Sequence, residues 1–93
     1  MLIKTKTETG SLRTKIRQEI KAHARLSLDV ETLRDSDDLY EAGMTSHASV
    51  MLMLALENEF NLEFPDNMLS RNVFESVDAI AAAIARLQSE EPI

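Results

Sequence analysis

The sequence predicts an all-α fold, a four-helix bundle with a long loop between helices 1 and 2 and a short third helix. Apolar residues recur at helical spacing in three stretches: Leu12, Ile16 and Ile20; Leu52, Leu56 and Phe60; and Val77, Ile80, Ile84 and Leu87. A shorter fourth pattern follows Pro65. No stretch alternates apolar and polar residues as a half-buried strand does, and the 93 residues include only two glycines. At this length one small domain is expected, with no room for a second core.

Residues 1–10 mix Lys, Thr and Glu, end in Gly10 and show no periodicity, so they are expected to form a flexible leader. Ser11 is a good N-cap for the first helix. Its stripe of Leu12, Ile16 and Ile20 leaves Arg13, Lys15, Arg17, Glu19 and Lys21 mostly turned to water. His23 reads as a surface or boundary residue, because no acid or second histidine stands at a chelating distance along the chain. The folded domain is expected to span 11–88, followed by a loose polar tail at 89–93.

Residues 27–43 form a long connection with scattered apolar residues Leu28, Val30, Leu33, Leu39 and Tyr40. Structureless loops of this length are uncommon, so these side chains should pin the segment to the core, with a short helical turn near Val30 and Leu33. Asp35, Asp37 and Asp38 resemble part of a calcium loop. The downstream glycine and glutamate are misplaced for one, so a solvated turn is expected.

The second helix is expected over 46–60, capped by Thr45 or Ser46, with Gly43 open to positive φ just before it. Leu52, Leu56 and Phe60 share its core face, flanked by Met53 and Ala55. The opposite arc holds His47, Val50, Met51, Leu54, Glu57 and Asn58. Three apolar residues lie there, where a helix of a small monomer usually shows charge. Either this arc is an adaptable partner surface, to which methionine is suited, or the helix is buried on both sides. Asp66 can cap a short third helix over 66–71, and Ser76 the last one.

The formal net charge is −6, unevenly distributed. Residues 1–26 carry seven Lys/Arg against two acids, whereas residues 27–93 carry three against fourteen. The N-terminal cations are spread along an amphipathic helix without interleaved aromatics, and the acidic remainder repels a phosphate backbone, so nucleic-acid binding is not expected. Acidic surface suits partners with basic patches. With no cysteine, disulfides and thiolate metal sites are excluded. The N-terminus lacks a signal-peptide h-region, and the longest apolar run, residues 50–56, is too short to cross a bilayer. A soluble cytoplasmic protein is expected.

Ser46 and His47 invite a catalytic reading. Adjacent helical residues point about 100° apart, however, so His47 cannot easily turn back to Ser46. No G-x-S-x-G elbow surrounds the serine, and no third group is in view to orient a base. Catalysis by the chain itself is therefore not expected.

The run Asp38-Leu39, Gly43 and Ser46, followed by Leu52, Leu56, Glu57, Phe60 and then Pro65-Asp66, closely resembles the acyl carrier protein family. That family shows D-L-G-x-D-S-L, then a helix ending L-E-x-x-F, then P-D. The resemblance covers about residues 11–88. It implies a four-helix carrier domain, not itself an enzyme, in which phosphopantetheine from coenzyme A is esterified to Ser46 by a phosphopantetheinyl transferase. The chain departs from the family in Thr45 for the usual Asp, His47 for Leu, and Met51 at a commonly acidic position.

The string from Gly43 to Ser49, GMTSHAS, is similar to that of stand-alone bacterial aminoacyl carrier proteins, which are loaded by relatives of the seryl-tRNA synthetase core. The resemblance thus implies a specialised carrier of an aminoacyl thioester and not the general fatty-acid one. Its partners would be the transferase, a loading ligase and a downstream acyltransferase or synthase. Thr45, His47, Val50, Met51, Leu54 and Glu57 would form the docking face. The alternative is an unmodified interaction module that docks through the apolar arc of helix 2, with Ser46 only a cap.

Overall fold

The computed structural model describes residues 4–89. Their regular elements are three α-helices, α1 (Lys4–His23), α2 (Ser46–Phe60) and α3 (Val77–Ser89), with 3₁₀ turns at Val30–Thr32, Asp66–Met68 and Arg71–Val73. α1 packs against both α2 and α3. Ile16 and Ile20 from α1, Leu52 and Leu56 from α2, and Ile80 and Ile84 from α3 are fully buried and form the centre of the core. The stripes at helical spacing thus converge from three directions, as their periodicity requires.

α1 begins at Lys4, seven residues ahead of the expected start, so Ser11 lies inside the helix and does not cap it. Lys and Glu are ordinary helix formers, and one interior glycine costs only about 1 kcal/mol relative to alanine in a helix already nucleated downstream. Residues 1–3 of the expected leader and 90–93 of the expected tail lie outside the described residues.

The four-helix count is corrected to three among the described residues. Over 66–73 the chain makes two separate 3₁₀ turns where a short third helix was expected. Ser70 between them is extended, at φ −119° and ψ 163°, which ends one turn before the next begins. Asp66 does not cap: it is the first residue of its turn, and Pro65 holds the cap position without a side-chain bond. The segment is anchored instead by aromatic packing, with Phe64 and Phe74 meeting edge to face at 5.1 Å between centroids. Ser76 does cap α3, its Oγ accepting from Ala79 N at 3.0 Å.

The long connection between α1 and α2 is strapped down along its length. Val30, Leu33 and Leu39 are buried, and a 3₁₀ turn forms at Val30–Thr32 near the expected place, whereas Leu28 stays exposed. Arg17, expected to face water, is part-buried and donates to Val30 O at 3.0 Å, to Leu33 O at 2.9 Å and to Asp35 Oδ1 at 2.6 Å. Two backbone bonds tie the same loop to the start of α3: Asp78 N to Asp35 O at 3.0 Å and Leu39 N to Glu75 O at 2.7 Å.

Candidate functional site

The chain enters α2 through a sharply turned segment. Asp38 Oδ1 accepts from the backbone N–H of Tyr40 at 2.8 Å and of Glu41 at 3.2 Å. Ala42 N donates to Asp38 O at 3.1 Å, and Met44 N to Leu39 O at 3.0 Å, burying Met44. Gly43 has φ +113°, and a Cβ there would meet Ser27 N and Oγ at 3.3 Å, so both the backbone angle and the neighbour favour glycine. The expected aspartate turn is thus structural: Asp35 pairs with Arg17, Asp37 accepts from Arg34 N at 2.9 Å, and Asp38 holds the turn. Among the described residues no cluster of acids and histidines is arranged to hold a metal.

Thr45, not Ser46, is the N-cap of α2. Its backbone is extended, and its Oγ1 accepts from Ala48 N at 3.0 Å. Ser46 is therefore the first residue of the helix, exposed, and its Oγ has no hydrogen-bond partner among the described residues. The N–H groups of Ser46 and His47 sit in the first turn, where no intrahelical carbonyl is available, and the positive end of the helix dipole lies there too. That is a setting in which an esterified hydroxyl would find donors for its phosphate. His47 is exposed beside Ser46, and His23 lies on α1 with Nε2 3.4 Å from Glu19 Oε1. Neither histidine forms a hydrogen bond with the serine.

The outward arc of α2 settles the choice left open by the sequence. Val50, Met51 and Leu54 are exposed, so the helix is not covered on both sides within this chain. Met51 and Leu54 border a shallow depression against Glu19 and His23 of α1. Glu57 differs from its neighbours on this arc. Its carboxylate accepts from Phe64 N at 2.9 Å, and it fastens the turn after the αL residue Asn61. Thr45 and Glu57 thus each have a structural bond, while His47, Val50, Met51 and Leu54 present free side-chain surface.

A groove of about 310 Å³ adjoins Ser46. It is lined by Ser46, Ser49, Val50 and Met53 of α2 together with Tyr40 and with Leu69, Ser70, Arg71 and Phe74 from the segment before α3. The sequence pattern did not single out this groove, because part of its lining comes from the irregular segment that was read as a helix.

Residues 14–84 match a family model described as the phosphopantetheine attachment site. The chain belongs to this carrier family. Its cofactor is accordingly phosphopantetheine, and the fold is that of the acyl carrier proteins. It is 48% identical over 65 residues to an aminoacyl carrier protein of Agrobacterium fabrum, a match spanning 70% of this chain and 78% of that one. The carrier protein from Agrobacterium tumefaciens, crystallised with an engineered Bradyrhizobium japonicum glycine:[carrier protein] ligase and ATP, superposes with a TM-score of 0.79 at 41% identity, covering 81% of this chain and 97% of that one. A solution structure from the same Agrobacterium species gives a TM-score of 0.68 at 40% identity, covering 83% and 93%. Among the described residues of this carrier, no helix is long and apolar enough to cross a membrane.

Proposed function

We propose that Ser46 is the residue that bears the phosphopantetheine arm, and that the chain is an aminoacyl carrier loaded with glycine or a similarly small amino acid by a carrier-protein ligase. The observation that carries this reading is the free, exposed Ser46 hydroxyl on the first turn of α2, with Thr45 satisfying the cap in its place. A serine used as the cap would have its oxygen engaged. In the attachment step Ser46 Oγ forms the bond to phosphorus and loses its proton, and the nucleotide half of coenzyme A departs. When bound, the arm supplies the thiol that this cysteine-free chain lacks, and the amino acid is held on it as a thioester.

The ligase relationship is supported by the likeness to a carrier crystallised with a glycine:[carrier protein] ligase. Thr45, His47, Val50, Met51, Leu54 and Glu57 form the docking face, with the free surface supplied by His47, Val50, Met51 and Leu54, and the phosphopantetheinyl transferase and the enzyme that unloads the amino acid use the same end of α2. Exposed apolar contacts suit a partner that binds, reacts and releases. The chain itself contributes no catalytic group. Incubation with coenzyme A and a broad-specificity transferase, followed by intact-mass measurement, should show one added arm, and Ser46→Ala should remove the increment completely. Holo-protein given ligase, ATP and glycine should then gain one glycyl unit that hydroxylamine releases. Modification of the Ser46→Ala protein would refute the assignment.

A further inference from the structure

We propose that Arg71 is a positioning residue for the arm, its guanidinium holding the phosphate esterified to Ser46. This rests on Ser46 being the attachment residue. Arg71 and Ser46 both line the same groove. The guanidinium lies over the Tyr40 ring, 4.0 Å from its centroid. Stacking uses the flat face of the guanidinium and leaves its N–H donors, which radiate in the plane, available to an anion.

Those donors are not committed elsewhere. None of the ion pairs among the described residues involves Arg71, whereas Arg13 and Arg17 are both paired with aspartates. Residues 27–93 hold only Arg34, Arg71 and Arg86 as cations against fourteen acids, and of the three only Arg71 lines the groove. An acidic chain that must carry a further anion has placed an arginine without an ion-pair partner among the described residues, pre-oriented by an aromatic ring, in the groove that Ser46 also lines. Two parallel N–H bonds to phosphate oxygens are the geometry for which a guanidinium is suited. Held at its root by Arg71, the arm would keep its thiol end free to reach an enzyme.

The test uses the intact holo-protein. On loading of the wild type, the Arg71 Nε–Hε NMR signal, assigned by its loss in apo Arg71→Gln, should shift. The ³¹P resonance of holo Arg71→Gln should move toward that of urea-unfolded holo-protein. Arg71→Lys, which keeps the charge without the fork or the stack, should fall between the two. An unmoved Nε–Hε signal in fully loaded wild type, or a ³¹P resonance identical in wild type and Arg71→Gln, overturns the proposal while leaving Ser46 intact as the attachment residue. No mass increment on the wild type overturns both.

Discussion

On the inner side of α2, Ala48, Leu52 and Leu56 are 4%, 0% and 0% exposed, while a part-turn around the same helix Val50, Met51 and Leu54 stand 49%, 42% and 49% exposed. The residue types are nearly interchangeable. Covering decides the difference: α1 and the core lie over the first set, and the second has no cover among the described residues. Burying an aliphatic side chain contributes about 1.5–3 kcal/mol to folding, and the outer set gains little of that in the free protein. Its apolar character is therefore unexplained by stability and fits a surface that is buried only during encounters. Hydrophobicity alone says that a residue will be covered, and the three-dimensional structure says by whom.

Substitutions can break this contrast. Leu56→Ala should have the largest effect, a loss of about 2–5 kcal/mol in urea or thermal unfolding, because it leaves a cavity that the core closes only in part. Met51→Asp should change unfolding by no more than about 0.5 kcal/mol, as expected for an exposed position. Yet it should lower the kcat/KM of ligase loading about tenfold, or ~1.4 kcal/mol of transition-state binding. A Met51→Asp protein as unstable as Leu56→Ala would show that the outer arc belongs to the core after all. Unaltered loading would show that the ligase docks elsewhere. Thr45→Ala should cost about 1 kcal/mol of stability from the lost cap, less than the loss in loading expected of Met51→Asp, with the arm still added to Ser46. If that variant instead abolished modification, Thr45 would be read by the transferase as well as holding the helix.

The same contrast separates what could be read from residues from what could not. α2 falls on the expected 46–60 because Leu52 and Leu56 repeat at helical spacing and a hydroxyl cap precedes them. Ser76 capping α3 and the burial of Val30, Leu33 and Leu39 were legible for the same local reasons. Arg17 was not, since its acceptors include main-chain carbonyls of Val30 and Leu33, and every residue has such a carbonyl. Glu57 was placed on the docking arc by the wheel, and its bond to the backbone N–H of Phe64 beyond the end of the helix was not legible there. Residues 66–73 misled for a related reason: one turn of α and one of 3₁₀ differ little in local preference, and the anchoring of Phe74 on Phe64 decides between them. Ser46 itself could be placed from its neighbours, whereas the groove and Arg71 beside it follow only from that tertiary choice.

The Arg17 strap has a consequence for traffic through this carrier. The loop that leads into Ser46 is tied to the middle of α1 and to the first turn of α3, so the serine stands on a braced mount. If Ser46 bears the arm as proposed, an enzyme that acts there would meet the alcohol already in place and spend little of its binding energy on ordering it. On that reading, handover between enzymes would require no reshaping of the loop and would be timed by how quickly the proposed apolar docking patch lets go. A stiff mount with a weak grip would let such a carrier serve several enzymes in turn.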